Sequence, residues 1–236
     1  MKTTVLQSNI IAEGTQRLIL RRPKGYDFSA GNYLTIPFDG VPKYLSIVSS
    51  PAEPFLELAF RTGESQFKQY LANLKQDDSV TITQAKGGFG SYPNDSDSLL
   101  LLAGGIGITP FVSIVREMSH GTVAPGRKVA LLHANRLQKQ AAYTMELSEL
   151  AKQCAWLSYR PYMTQEESVR DRITSTNIAS RITPGTSSKV LIAGSHRFIK
   201  GMQALLNDTD YPGTDVMTEV FCGYCSDHDC CCSHIS

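Results

Sequence analysis

The chain has 236 residues, 42% of them hydrophobic, and a formal net charge of +1 from 23 basic and 22 acidic residues. That hydrophobic share supports a packed core and excludes wholesale disorder. The even charge balance gives no electrostatic pull towards nucleic acid or a membrane surface, so neither is expected as a partner.

Residues 1–7 lack the apolar core of a signal peptide. The longest uncharged stretch, residues 98–115, is broken by glycines and Pro110 and is too short to span a bilayer. Both features point to a cytoplasmic protein. The first part of the chain reads as β structure, with short β-compatible runs at 17–20, 33–37, 44–48, 56–60 and 80–84 separated by Gly, Pro and Asp. Their close spacing predicts a small antiparallel barrel or sandwich. One helix interrupts them over residues 65–74, where Phe67, Leu71 and Leu74 share a face.

A polar, turn-rich link over residues 92–98 follows, and then the rhythm changes. Apolar strands are predicted at 99–103, 129–134, 156–163, 190–193 and 216–221, with helices at 109–119, 143–154 and 197–206. Alternation of this kind implies a parallel sheet covered by helices on both faces. The expected division is a barrel over 1–95, an α/β domain over 96–224 and a cysteine-rich tail over 225–236.

Gly104-Gly105-Ile106-Gly107-Ile108-Thr109-Pro110 directly follows the first apolar strand of that second half. Glycines let main-chain N–H groups approach a phosphate, Thr109 is a candidate N-cap, and Pro110 suits a first helical position. The helix N-terminus would then face a pyrophosphate with partial positive charge. An ordinary strand-to-helix glycine turn has the same pattern.

In company with other motifs, this loop resembles the pyridine-nucleotide loop of the ferredoxin–NADP reductase family. Lys43-Tyr44-Leu45-Ser46 is similar to the family's Arg-x-Tyr/Phe-Ser. Gly63-Glu64-Ser65-Gln66-Phe67-Lys68 resembles its flavin-phosphate loop, and Gly87-Gly88-Phe89-Gly90-Ser91 resembles the turn that closes its flavin domain. His133-Ala134-Asn135-Arg136 resembles the strand end near the adenosine, and Thr218 to Tyr224 resembles the ending of short members. The resemblance spans residues 1–224.

It implies an antiparallel flavin-binding β-barrel followed by a parallel-sheet nucleotide-binding domain. It also implies an FAD-dependent reductase that uses NADPH or NADH and passes electrons to ferredoxin, flavodoxin or an oxidoreductase subunit. On this resemblance Ser46 would donate near the flavin N5, Tyr224 would cover the flavin face, and Lys43, Tyr44, Leu45, Gly63, Ser65 and Gln66 would hold FAD. Ser65 equally suits helix capping alone. Gly105, Gly107, Thr109, Asn135, Arg136, Ala193, Gly194 and Ser195 would hold the nucleotide. An exposed arginine with no ligand is the plain alternative for Arg136, and strand-end packing for His133.

Three departures stand out. Lys43 replaces an arginine and loses bidentate phosphate recognition. Leu45 replaces an aromatic side chain. Ala193-Gly194-Ser195 stands where the family has Cys-Gly-Pro, so the sulfur beside the nicotinamide is missing. Five of the six cysteines crowd into the last fifteen residues. Cys222, Cys225, Cys230 and Cys232 have spacing compatible with an iron–sulfur cluster or zinc, and equally with a polar tail of reactive thiols. That tail opens an alternative, an electron-transfer subunit of a larger oxidoreductase.

Overall fold

The computed structural model describes residues 1–89, 98–121, 123–166, 171–182, 188–209 and 215–221. They fall into two compact units, Met1–Tyr92 with Thr109–Gly121, and Pro93–Ile108 with Thr122–Ser236.

The first unit is built from β1 (Lys2–Ala12), β2 (Thr15–Arg21), β3 (Tyr33–Phe38), β4 (Val41–Ser46), β5 (Phe55–Arg61), α1 (Gln66–Asn73) and β6 (Ser79–Thr81). It holds an antiparallel sheet of order β5-β2-β1-β6 and the separate hairpin β3-β4. Bridges Ile47 to Leu58 and Tyr33 to Lys86 join the hairpin to β5 and to the segment after β6. The result is a curled antiparallel half-barrel. Leu18, Leu20, Leu34, Ile36, Leu56, Leu58 and Ile82 fill it, and Phe67 and Leu71 bury the apolar face of α1.

Strand β1 has no counterpart in the sequence reading. Its register slips between Val5 and Gln7 and again between Ile10 and Ala12. Each slip breaks the apolar–polar alternation by which a strand is recognised. The β3–β4 turn is Asp39-Gly40, with φ of 48° and 74°. Two positive φ values make a type I′ turn, the form that matches strand twist and fixes hairpin register. That register sets Ser46 opposite Tyr33 and Leu45 opposite Leu34.

The second unit contains β7 (Ser98–Gly104), β8 (Lys128–Asn135), α3 (Thr144–Gln153), β9 (Leu157–Met163), α4 (Ser175–Ala179), β10 (Ser188–Gly194), α5 (His196–Asn207) and β11 (Val216–Val220). The helix between β7 and β8, α2 (Thr109–His120), groups with the barrel. The sheet is parallel throughout, in the order β11-β10-β7-β8-β9. Leu100, Leu102, Leu132, Val190 and Ile192 face Ile178, Ile199, Met202 and Leu206 of α4 and α5 in one apolar core. Both faces of β7 are buried, which is why its sequence is continuously apolar rather than alternating.

Helix α2 is held in the first unit by polar bonds. Ser113 Oγ donates to the Ser49 carbonyl at 2.7 Å, and Ser50 Oγ donates to Glu117 at 2.6 Å. Arg116 meets Glu57 at 2.7 Å and Glu53 at 3.5 Å. Glu57 is 2% exposed, so Arg116 balances a carboxylate that water barely reaches.

Candidate functional site

The β4 candidates separate by strand pleat. Tyr44 and Ser46 lie on the face of Thr35 and Tyr33, their cross-strand partners, whereas Lys43 and Leu45 lie on the face of Ile36 and Leu34. Tyr44 is 37% exposed and meets the Tyr33 ring edge-on at 5.4 Å. Ser46 is 4% exposed, and Leu45 is buried at 6%. The leucine therefore packs in the barrel, and its replacement of an aromatic residue alters the core side of the strand rather than the Tyr44 side.

Ser65 caps α1, its Oγ accepting from the Lys68 N–H at 3.4 Å. Gln66 is the exposed first residue of that helix. The Lys68 ammonium folds back over Gly63: a Cβ placed there would meet Lys68 Cδ at 3.2 Å and Nζ at 3.4 Å. A lysine ammonium and helix-terminal amides beside a bare glycine form a donor set that fits the phosphates of FAD. Lys68 was absent from the sequence-derived candidates, although it sits in the same motif four residues after Glu64. The distance from Gly63 gave no signal, because only the α1 turn folds the side chain back.

In the second unit the chain runs β7, β8 and β9 outward on one side and then crosses to β10 and β11 on the other. The switch point lies between β7 and β10, the place where open parallel sheets bind ligands beyond their carboxyl ends. Two loops meet there. Gly105 to Ile108 makes one 3-10 turn and feeds directly into α2, so Thr109 lies inside the helix as its first residue rather than before it. Gly194 ends β10, and Ser195 after it caps α5 by accepting from the Phe198 N–H at 3.3 Å.

The two loops touch through Gly107. A Cβ on Gly107 would lie 2.4 Å from the Ala193 carbonyl oxygen and 2.8 Å from the Gly194 nitrogen. Phe198 packs its ring over the neighbouring glycines: a Cβ would meet it at 2.6 Å from Gly104 and 2.7 Å from Gly194. The Phe221 N–H donates to the Gly194 carbonyl at 2.8 Å, which brings the end of β11 beside the same loop. Tyr224, Cys222, Cys225, Cys230 and Cys232 lie outside the described residues. Among the described residues no group of three or more His, Cys, Asp or Glu side chains could hold a metal ion.

Register puts Ala193, Ala103 and His133 in one row across β10, β7 and β8. His133 is wholly buried, with Nε2 3.0 Å from the Gly105 carbonyl and Nδ1 3.2 Å from the Tyr159 hydroxyl. A carbonyl only accepts, so Nε2 carries the proton and Nδ1 accepts from the phenol. Burial holds the His133 pKa down to about 4, against a weaker upward pull from the Gly105 bond. Its role was expected to be packing alone.

At the end of β8, Asn135 is 7% exposed, and its Nδ2 has no hydrogen-bond partner among the described residues. A buried donor of this kind is costly unless a ligand takes it up. Arg136 is exposed beside it. The bare glycine cradle, the unclaimed amide and the exposed guanidinium fit a dinucleotide laid across the carboxyl ends of β10, β7 and β8.

Residues 101–204 match the family model described as the oxidoreductase NAD-binding domain. The 3-ketosteroid-9-alpha-monooxygenase ferredoxin reductase component of Rhodococcus rhodochrous is 28% identical over 208 residues, covering 83% of this chain and 56% of that protein. The plasma membrane-associated coenzyme Q6 reductase PGA3 of Saccharomyces cerevisiae is 32% identical over 138 residues, covering 56% of this chain and 44% of that protein. The chain thus spans about half the length of the curated relatives it matches. In fold it is similar to a ferredoxin NADP+ reductase from Neisseria gonorrhoeae, solved with bound FAD and NADP. The TM-score is 0.78 at 19% identity, over 93% of this chain and 98% of that one.

Proposed function

We propose that this chain, which carries an oxidoreductase NAD-binding domain, is a ferredoxin–NADP reductase-like flavoprotein in which bound FAD takes hydride from NAD(P)H and releases electrons to an acceptor. The observation that carries this reading is the main-chain contact of Gly107 with Ala193 at the switch point of a parallel sheet. Such a contact admits only glycine at 107 and sets the loop against β10, while the Cβ position of Gly105 is open, which leaves its main chain accessible to a phosphate. The antiparallel half-barrel with Lys68 folded over Gly63 supports FAD as the second ligand.

In this reading residues 1–95, with α2, serve the flavin and residues 96–224 the nucleotide. Ser46 and Tyr44 present one polar, partly open face to the isoalloxazine, with Ser46 donating near N5. Lys43, Lys68 and the start of α1 at Gln66 neutralise phosphate charge, while Ser65 keeps that helix end in place as its cap. Gly105, Gly107 and Thr109 line the pyrophosphate, Asn135 donates to the adenosine end, and Arg136 pairs with a 2′-phosphate, which favours NADPH. Ala193, Gly194 and Ser195 border the nicotinamide. Ala193 offers a small apolar wall there without the thiol, so alignment rather than side-chain chemistry is the contribution of this loop. Tyr224 would complete the flavin face.

A protein acceptor is part of the proposal, because a relative is named as the ferredoxin reductase component of a monooxygenase. Ferredoxin, flavodoxin and an oxidoreductase subunit all fit. No helix among the described residues is long and apolar enough to cross a membrane, and we place the reductase in the cytoplasm, where NAD(P)H is supplied. Cys222, Cys225, Cys230 and Cys232 are proposed ligands of an iron–sulfur or zinc centre, a feature that would suit the electron-transfer-subunit reading.

The test is the anaerobic visible spectrum of FAD-reconstituted protein before and after NADPH. Flavin bands that bleach support the reading, and extra absorption to their red supports a cluster in the tail. A protein that takes up no FAD, or holds FAD that NADPH does not bleach, overturns it.

A further inference from the structure

We propose that His133 is a positioning residue for the dinucleotide loop, fixing the Gly105 peptide from beneath and tying it to Tyr159 of β9. The inference rests on the reading of that loop as the nucleotide phosphate site.

The loop needs such a fixture. Gly104, Gly105 and Gly107 fall within four residues, and Gly105 holds φ +56°. Glycine samples this region and its mirror image almost equally, so the loop's own chemistry selects no single conformation. The Gly105 carbonyl is bonded from below by the His133 Nε2–H, on a side chain with no exposure to water. The peptide is planar and trans, so pinning that carbonyl fixes the orientation of the whole Gly105–Ile106 unit.

The imidazole is itself held. Its Nδ1 faces the Tyr159 hydroxyl at 3.2 Å, and the one phenolic proton is shared between this nitrogen and Thr144 Oγ1 at 3.3 Å. The imidazole therefore joins the Gly105 carbonyl on one side to the Tyr159 hydroxyl of β9 on the other. A neutral imidazole supplies one donor and one acceptor at opposite ends, as this link requires. Apolar surroundings keep it neutral and make both bonds stronger than they would be in water. In the row across the sheet Ala103 and Ala193 are small, leaving room for the ring.

The experiment uses the full chain loaded with FAD and compares wild type with His133→Phe and His133→Gln. Phenylalanine fills the volume without either bond, and glutamine can donate to Gly105 and accept from Tyr159. NADP+ affinity is read by calorimetry, the NADPH KM and kcat with ferricyanide as acceptor, and loop order by amide hydrogen exchange without nucleotide. In His133→Phe the dissociation constant and KM rise about ten-fold, the value of one lost buried hydrogen bond. Exchange in the loop quickens, kcat changes less, and His133→Gln recovers most of the affinity. A folded, FAD-loaded His133→Phe that binds NADP+ as tightly as wild type overturns the inference, as does a glutamine variant no better than phenylalanine. Should His133→Phe not fold, Tyr159→Phe tests the same link, and an unchanged KM there refutes it. A wild type that binds no nucleotide is a different result, since it removes the proposed function itself.

Discussion

Gly107→Ala puts the contact between the two switch-point loops to the sharpest test. The added Cβ would lie 2.4 Å from the Ala193 carbonyl oxygen, 2.6 Å from its carbon and 2.8 Å from the Gly194 nitrogen, where ordinary contact begins near 3.4 Å. All three are main-chain atoms, and this stretch of β10 is paired to β7 on one side and β11 on the other. No side chain can swing aside, so the loops must part by about 1 Å, the difference between 3.4 and 2.4 Å. Overpacking of this kind costs about 1–3 kcal/mol of stability, which a protein of this size survives. A displacement of about 1 Å at a binding or reacting centre costs on the order of a hundred-fold. Calorimetric titration with NADP+ should therefore give a dissociation constant about a hundred-fold weaker than wild type, near 2.7 kcal/mol. FAD content, read from absorbance after gel filtration, should stay at the wild-type level, because the barrel has its own core. An unchanged NADP+ affinity would refute the cradle. Loss of FAD together with nucleotide would refute the assignment of the two ligands to separate units.

Acid should destabilise the protein through His133. Folded, the imidazole stays neutral down to about 4, while in the unfolded chain it takes its proton at the ordinary value of 6.5. Between those values the unfolded state binds more protons, so stability falls as pH drops through that window, by about 3 kcal/mol in all. Urea midpoints from pH 7 to pH 4.5 should show this slope in wild type and not in His133→Phe, and parallel curves would sink the idea. Arg116→Met leaves Glu57 buried with its closest partner gone and should lower stability by about 3 kcal/mol in urea unfolding. An effect below roughly 1 kcal/mol would put that ion pair in the class of exposed ones. Arg136→Ala should weaken NADPH by about ten-fold and leave NADH nearly unaffected, read as the ratio of kcat/KM for the two. An equal loss on both would remove the 2′-phosphate from its role.

By itself the sequence determined the architecture and the order of its parts. Short runs broken by Gly, Pro and Asp encode barrel strands, and apolar runs alternating with amphipathic helices encode a covered parallel sheet, because both signals are local. The strand-to-helix glycine loop after β7 was legible for the same reason, whereas the return of Lys68 over Gly63 was not. Strand β1 was not, since its bulges erase the alternation and only its partners β2 and β6 hold it extended. Tertiary structure alone decided which residues meet. Pairing with Leu34 turns Leu45 into the core and leaves Tyr44 and Ser46 together on the other face. The crossover from β9 to β10 brings Gly107 against Ala193, 86 positions later in the chain. It also sets Phe198 over two glycines of different strands. His133 shows the difference most plainly: on paper it is a strand-end residue, and what it does depends on a carbonyl 28 residues away and a phenol 26 residues away. Contacts at that separation leave no trace in local pattern, because they arise only once strands lie side by side and burial demands that each polar atom find a partner.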